Sequence, residues 1–321
     1  MKPVFLITID TEGDNLWSRD RMVTTRNANY LPRFQALCEK FKFKPTYLTN
    51  YEMAVDKNFC RFARGVVDRG VGEIGMHLHA WNSPPEILLT NKDYINKPYL
   101  VDYEESIIRS KVEFMTNLLE DMLSKKIVSH RAGRWAFDNR YAKILLDYGY
   151  KIDCSVTPGV SWKSTKGHPD GDGGTNYEKF PNFAYFMDAQ DISKVATSGL
   201  LEIPMTIMKV KQPFYAQILG GLPIARRLVS KKWPSPVWLR PNMFNLKAMI
   251  LLVEKALEEK RPYIEFMLHS SEFMPGGSPN FPDNYSIEKL YADLEVLFSY
   301  VEVKFQGNTL EEFGSKNFNI C

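Results

Sequence analysis

Two histidines separated by one residue, His77 and His79, end an apolar run that begins near Glu73. Side chains two residues apart on a strand point to the same face. If this run is a strand, both imidazoles leave it on one side, as a shared metal ion requires. Imidazole binds Zn²⁺ well. An isolated pair of this kind is more often two hydrogen-bonded imidazoles, so the assignment depends on the rest of the chain.

Three acids, Asp10, Glu12 and Asp14, follow the apolar run from Val4 to Ile9. Carboxylates directly after a buried strand are unfavourable unless they are hydrated, paired or bound to a cation. A single acid at this place is common in a loop, whereas three so close together are harder to explain in that way. Two further apolar runs end in a basic side chain, Arg131 in the middle of the chain and His269 late in it.

Apolar runs alternate with amphipathic segments along the chain. Strands are predicted at 4–9, 44–49, 73–79, 127–135, 150–156, 200–206, 263–269 and 301–305. Helices are predicted at 29–41, 59–68, 139–148, 246–259 and 286–300, with a short one from 309 and a long one opened by the capping-box spacing of Asp102 and Glu105. The alternation predicts an α/β fold with a mostly parallel sheet.

The polar clusters all fall at the C-terminal ends of predicted strands, the face on which parallel barrels build their chemistry. They come from the first, middle and late strands, so a barrel is preferred over an open doubly wound sheet. The 321 residues, 44% of them hydrophobic, fit one domain over 1–321 with irregular insertions at 158–199 and 209–242.

Composition gives no support to several classes of function. A net charge of +3 gives no argument for nucleic acid binding, and the four cysteines form no Cys-x-x-Cys pair that would suggest a thiolate zinc site. No export signal or apolar run of bilayer length is recognised, so a cytoplasmic protein without a transmembrane segment is expected. The basic group Arg226, Arg227, Lys231 and Lys232 is interpreted as a solvated helix face, with phosphate or membrane contact as the alternative.

The order of these clusters resembles the polysaccharide deacetylase family, the NodB-homology group or carbohydrate esterase family 4. Five family motifs are matched by Thr8–Glu12, Glu73–His79, His130–Trp135, Gly149–Ser155 and Leu268–His269. The resemblance implies a distorted (β/α)₇ barrel and a divalent metal, with zinc expected. The chain differs from the family pattern in the spacing of its two acids and in the spacing of its two histidines. One residue separates Asp10 from Glu12, and one separates His77 from His79. The chain therefore resembles a divergent branch with a His-x-His metal motif.

The resemblance also implies roles for single residues. Asp10 would be the general base, and Arg131 the cation that orients it. His269 would be the general acid, oriented by Asp153. The metal ligands would be Glu12, His77 and His79. Asp10 and Glu12 can exchange roles, since residues two apart on an extended chain share a face. Contacts to the sugar are predicted for Trp81, Trp135 and Asp14, with Trp162 a further rim aromatic; plain packing explains the tryptophans equally well.

The leading functional prediction is a metal-dependent hydrolase that removes an acetyl group from an N-acetylated sugar, a precursor of a bacterial surface polysaccharide. One alternative keeps the metal and cleaves a small cyclic amide or ureide. Another is a carbohydrate-binding protein without catalysis on the same scaffold. The sequence does not choose the sugar, the metal or the oligomeric state.

Overall fold

A computed structural model describes residues 2–14, 23–167, 171–211 and 235–320. Its strands are β1 (Val4–Thr11), β2 (Pro45–Thr49), β3 (Glu73–Leu78), β4 (Ser129–Ala132), β5 (Ile152–Asp153), β6 (Tyr185–Met187), β7 (Val195–Ala196), β8 (Leu201–Glu202), β9 (Ile207–Val210), β10 (Ser235–Trp238), β11 (Tyr263–His269) and β12 (Gln306–Gly307). Its α-helices are α1 (Leu31–Lys40), α2 (Tyr51–Ala54), α3 (Lys57–Asp68), α4 (Asp93–Asn96), α5 (Glu105–Leu123), α6 (Asn139–Asp147), α7 (Leu246–Glu258), α8 (Asn284–Glu302) and α9 (Leu310–Phe318).

A curled parallel sheet forms the centre of the molecule, with its strands in the order β11–β1–β2–β3–β4–β5–β8. The predicted α/β class with a mostly parallel sheet is confirmed. In the described ranges the strand ladder does not close between β8 and β11. Single hydrogen bonds bridge this gap, from Met267 N to Leu239 O and from Leu239 N to Thr206 O, both 3.2 Å. The closure expected of the barrel is therefore replaced here by irregular backbone.

Successive side chains along β1 point alternately to the two sides of the sheet. Phe5, Ile7 and Ile9 pack outward in the large core beneath the helices. On the other side, Val4 and Leu6 belong to a smaller apolar cluster inside the barrel, which Leu310 and Phe313 of α9 help to fill. Thr8 and Asp10 continue that inner row with polar side chains. The barrel interior thus changes from apolar to polar toward the C-terminal ends of its strands.

The strand register fixes which polar ends become neighbours. Asp10 on β1 is paired with His269 on β11, and His77 on β3 is paired with Arg131 on β4. β2 lies between β1 and β3 in the sheet. Parallel strands carry their C-terminal ends to one edge, so these side chains gather at one mouth of the curled sheet.

Several predicted boundaries are wrong. The strands predicted at 127–135, 150–156 and 200–206 are limited to Ser129–Ala132, Ile152–Asp153 and Leu201–Glu202. Residues 301–305 do not form the last strand, because α8 continues to Glu302 and the short β12 follows. No capping box opens α5, since its N-cap residue is Glu104 and makes no side-chain bond there. The helix expected from 29 begins at Leu31, after a 3₁₀ turn over Arg26–Tyr30.

The predicted insertions differ in how much of them is described. The first contains β6 and β7, which extend the sheet in antiparallel fashion beyond β8. Of the second, the described ends form the antiparallel pair β9–β10, while the basic group from Arg226 to Lys232 lies outside the described residues. The single-domain assignment stays a prediction. Among the helices in the described ranges, none has the length and apolarity needed to cross a membrane.

Candidate metal centre

Glu12, His77 and His79 lie together at the mouth of the sheet, with one ligand atom of each within 4.8 Å of the others. Glu12 Oε2 is 2.9 Å from His79 Nε2 and 3.5 Å from His77 Nε2. All three side chains are buried. Atoms that share a tetrahedral zinc ion at the usual bond lengths are separated by about 3.4 Å. The spacing of these three atoms therefore suits one small divalent cation.

The hydrogen bonds of the group support the same conclusion for His77. Its Nδ1 lies 2.9 Å from the carbonyl oxygen of Arg131, which can only accept, so Nδ1 carries a proton and Nε2 is the nitrogen that faces Glu12. Burial raises the pKa of Glu12, but hydrogen bonds from both histidines and the charge of His269 outweigh it, and the net pKa lies below the ordinary value. The carboxylate is therefore ionised and available to a cation.

His79 is oriented differently from His77. Its Nδ1 is buried and has no hydrogen-bond partner among the described residues. A metal-binding imidazole usually donates from its second nitrogen to an outer partner, and His79 lacks that support here. Instead, Gly133 packs directly against the ring, because a Cβ at position 133 would lie 2.6 Å from His79 Nδ1 and 2.6 Å from Leu78 O.

Gly133→Ala is expected to weaken zinc binding by at least tenfold, because the added methyl group displaces either the His79 ring or the backbone of β3. Zinc titration of the purified variant measures this. The matched control is Gly65→Ala in α3, where a Cβ has nothing within 4 Å; it should leave zinc binding unchanged and stabilise the fold by about 0.5–1 kcal/mol. Equal zinc affinities for the two variants would contradict the assigned contact.

Arg131 is fully buried beneath the metal group and holds the neighbouring acid. Its Nη1 donates to Asp10 Oδ1 at 2.7 Å, its Nη2 to Thr8 Oγ1 at 2.9 Å and to Glu265 Oε1, and its Nε to the carbonyl of Cys154 at 3.0 Å. Burial raises the pKa of Asp10, but the charges of Arg131 and the nearby histidines lower it by more. The net pKa of Asp10 therefore lies below its ordinary value. Asp10 is therefore held in one orientation as an anion.

Glu265 shares this arginine with Asp10 and was not predicted as a site residue. Burial raises its pKa to about 7, against the lowering effect of Arg131 and Thr8, and its Oε2 has no partner among the described residues. The signal was present in the sequence, because one acid interrupts the otherwise apolar β11.

The raised pKa of Glu265 makes a prediction for stability. The Glu265 carboxyl binds its proton more tightly in the native state than in the unfolded chain. The free energy that this proton adds to folding is therefore complete below pH 4.5 and is lost as the pH rises to about 7. Relative to Glu265→Gln, the wild-type protein should lose on the order of 3 kcal/mol across that window. Denaturant unfolding of both proteins in chelator, from pH 4.5 to 8, measures the difference. Parallel stability curves would disprove the shift.

His269 faces both acids from β11, with its Nε2 3.8 Å from Asp10 Oδ2 and 3.7 Å from Glu12 Oε1. Its Nδ1 lies 3.2 Å from Glu272 Oε2 and 3.0 Å from Arg240 Nη2. Arg240 in turn donates to Glu272 at 3.2 Å. Burial raises the pKa of Glu272, but Arg240 and His269 bring it down to about 2.

The prediction that Asp153 orients His269 is wrong. Asp153 Oδ1 lies 2.6 Å from His130 Nδ1 on the adjacent strand, and Ser155 donates to the same oxygen. Glu272 and Arg240 occupy the place expected of Asp153. Glu272 follows His269 by three residues in a short 3₁₀ turn, Ser270–Phe273. That spacing was visible in the sequence, whereas Arg240 belongs to a segment interpreted as irregular.

The predicted sugar contacts fall into two groups. The Trp81 ring packs against the His79 ring with centroids 4.3 Å apart and planes tilted by 51°. The Trp135 ring contacts Arg131, with the guanidinium carbon 4.9 Å from the ring centroid. Trp81 is thus next to the metal group, and Trp135 is next to the arginine that holds Asp10. The side chain of Asp14 is fully buried and accepts hydrogen bonds from Thr24 Oγ1 and from Arg26 N and Nε. The three sugar contacts stay predictions, and the geometry supports the tryptophans.

Searches of protein-family models and of curated protein sequences find no match to this chain. Among solved structures, a candidate polysaccharide deacetylase from Mycobacterium smegmatis superposes with a TM-score of 0.54 at 14% identity, over 99% of this chain and 94% of its own. A 4-α-glucanotransferase from Thermococcus litoralis superposes with a TM-score of 0.57 at 14% identity, over 98% of this chain and 41% of its own. At such identities the likeness establishes the fold alone. The expected resemblance is confirmed at that level: the chain has the fold of the polysaccharide deacetylases.

Proposed function

We propose that this protein is a metal-dependent hydrolase that removes the acetyl group from an N-acetylated sugar. The observation that carries the proposal is the meeting of three kinds of group at one mouth of the sheet. Glu12, His77 and His79 form a buried set of metal ligands. The anion of Asp10 and the imidazole of His269 both face that set, each from a neighbouring strand.

The donor set of two imidazoles and one carboxylate fits a divalent cation, with zinc the expected ion. When bound, such an ion acts as a Lewis acid and lowers the pKa of a coordinated water to about 7. That chemistry matches what an unactivated amide requires. Three protein ligands are also the usual number at catalytic zinc sites, which keep a further position for water or substrate.

The side chains around the ligands supply the proton transfers. Asp10 is ionised and fixed by Arg131, so its second oxygen, Oδ2, can accept the proton of the attacking water. His269 can donate a proton from Nε2 to the leaving amine while Glu272 accepts a hydrogen bond from Nδ1 and fixes the ring. The proposed base and acid lie beside the ligand set on adjacent strands. Proton transfer from the attacking water and proton transfer to the leaving amine can therefore take place at the same amide bond.

The fold by itself does not choose this reaction, since a glucanotransferase shares it. The choice rests on the site. A buried trio with imidazole ligands next to an ionised acid is chemistry for hydrolysis at a carbonyl group. The alternatives of a small cyclic amide or ureide as substrate, and of binding without catalysis, are tested by the same experiment.

We expect the zinc-loaded protein to release acetate from N-acetylglucosamine or its β1,4-linked oligomers, and chelation to abolish the release. Readdition of zinc should restore it, because the ligands are side chains already gathered in the fold. A coupled acetate assay and metal analysis measure both. Cleavage of a cyclic amide or ureide with no acetate from any acetylated sugar would favour the second enzyme, and turnover that survives complete metal removal would contradict the proposal.

The more detailed assignments are also proposals. They are a saccharide precursor of a surface polysaccharide as substrate and the cytoplasm as location. Both derive from the family resemblance and the sequence. Cell fractionation and analysis of sugars that accumulate when the gene is deleted test them directly.

A further inference from the structure

The backbone ladder between β1 and β11 ends just before the ligand Glu12. Its last pair is Asp10 with His269, and β11 itself ends at His269. Successive residues of an extended chain turn their N–H and C=O groups to opposite neighbours. Since Thr11 O faces β2 and accepts from Asn50 N at 3.1 Å, the backbone groups of Glu12 face the β11 side. There they lie beyond the end of the neighbouring strand.

The side chain of Ser270 pairs with these two backbone groups. Its hydroxyl donates to Glu12 O at 2.8 Å and accepts from Glu12 N at 3.1 Å. Both residues are buried, and Ser270 directly follows His269 in the chain. One hydroxyl therefore takes the place of the next ladder step and ties the metal ligand to the residue after the proposed general acid.

Asn27 reaches the same atoms from another segment. It lies, fully buried, in the 3₁₀ turn Arg26–Tyr30. Its Nδ2 donates to Glu12 O at 2.7 Å and to Ser270 Oγ at 2.8 Å. A carbonyl oxygen can only accept, so the contact with Glu12 O fixes which end of the amide faces the ligand. The Ser270 hydroxyl thereby uses its one proton and both lone pairs. We call Asn27 and Ser270 together the Glu12 clamp.

The three ligands differ in how their backbone is held. His77 lies inside β3, where pairing with Arg131 on β4 fixes its register. Glu12 lies one residue beyond the end of β1, so the ladder does not hold it on the β11 side. A bound metal ion requires its ligand atoms within about 0.2 Å of their ideal distances. The clamp supplies at Glu12 the restraint that the sheet supplies at His77.

We propose that Asn27 and Ser270 are positioning residues that hold Glu12 for the divalent cation and fix it relative to His269. Neither residue belongs to the ligand trio, so each acts through Glu12. The proposal rests on the proposed function for the identity of Glu12 as a metal ligand. It deepens that function by assigning the contacts that set the geometry of the carboxylate ligand.

Competition for zinc between the protein and a chelator of known affinity tests the clamp without any turnover. We expect Ser270→Ala and Asn27→Ala each to weaken zinc binding by about tenfold or more, because residues that orient a metal ligand contribute to affinity on this scale. The double variant should lose little beyond the larger single loss, since both side chains donate to the same Glu12 oxygen. Ser270→Thr keeps a hydroxyl and should bind zinc more tightly than Ser270→Ala.

Ser286→Ala is the matched control. The Ser286 hydroxyl makes the same two bonds to a single residue, because it donates to Asp283 O at 2.6 Å and accepts from Asp283 N at 3.1 Å. It is also buried, in the first turn of α8. Its loss removes the same kinds of hydrogen bond without touching a metal ligand. Ser286→Ala should therefore lower the melting temperature about as much as Ser270→Ala and leave zinc affinity within twofold of wild type.

Zinc affinity within twofold of wild type in both Ser270→Ala and Asn27→Ala would overturn the proposal, as would a wild-type protein that binds no zinc. An equal loss of affinity in Ser286→Ala would also overturn it, because the effect would then be general destabilisation. Circular dichroism shows whether each variant is folded. If Ser270→Ala does not fold, Asn27→Ala decides, since it leaves both bonds between Ser270 and Glu12 in place.

Acetate release is measured separately on the zinc-loaded proteins. Weakened zinc binding in the clamp variants, with no acetate release from any acetylated sugar by the wild type, would support the clamp and contradict the proposed hydrolysis. Acetate release by the wild type, with unchanged zinc affinity in both clamp variants, would support the hydrolysis and overturn the clamp.

Discussion

Asp10→Asn is expected to lower kcat for acetate release by about 10³-fold while the protein retains its metal. Asparagine keeps the shape of aspartate and can still accept the 2.7 Å hydrogen bond from Arg131, but it cannot take a proton. The ligand trio does not include Asp10, so the metal content should stay at the wild-type level. Steady-state kinetics and metal analysis on the same preparation measure both quantities.

A matched aspartate-to-asparagine substitution at a helix N-cap separates this effect from general damage. Asp138→Asn changes the N-cap of α6, where asparagine is an equally good cap, and should leave kcat within twofold of wild type. If Asp10→Asn instead loses the metal, and Glu12→Gln retains it, the two acids have exchanged roles. Retention of more than a tenth of the activity in Asp10→Asn would contradict its role as the base.

His77→Ala should reduce zinc affinity by more than about 10²-fold and bring turnover below detection at substoichiometric zinc. The change removes one of three ligand atoms and leaves Glu12 beside a single imidazole. Equilibrium dialysis with zinc gives the affinity, and circular dichroism shows whether the sheet persists. Unchanged zinc affinity would remove His77 from the site.

His130→Ala is the control for this experiment. His130 is a fully buried histidine on the strand next to His77, but it bonds to Asp153 and Tyr141 instead of the ligand trio. Its loss should destabilise the fold, because a buried aspartate loses its partner, and should leave zinc affinity within a few-fold of wild type. If the assignment is correct, His77→Ala loses zinc affinity, whereas His130→Ala loses stability and keeps its zinc affinity.

Sequence patterns predicted the parts of the site that lie on regular strands. β1, β3, β4 and β11 are buried along their lengths, and each ends in the polar residues that hydrophobic periodicity singled out. Since parallel strands deliver their C-terminal ends to one edge, the meeting of Asp10, His77, Arg131 and His269 followed from the order of the elements.

The remaining parts depend on contacts that periodicity does not encode. Asp153 was predicted to orient His269, and only the sheet order shows that β5 lies beyond β4, next to His130. Arg240 lies two residues after the four-residue strand β10 in a segment interpreted as irregular, where a strand so short does not stand out in the sequence. The gap in the strand ladder of the distorted barrel was not predicted, because β8 is only two residues long and the backbone after it is irregular.

The pairing of Asp10 with His269 joins two residues that are far apart in the chain but adjacent in the sheet. Bringing such distant segments together carries a large loop-closure entropy and tends to be a late, slow event in folding. The proposed base and acid therefore meet only once β11 docks on β1. A partly folded or nascent chain that already holds its histidine pair would still lack a working proton donor, so hydrolytic competence should appear with the final, cooperative step of folding.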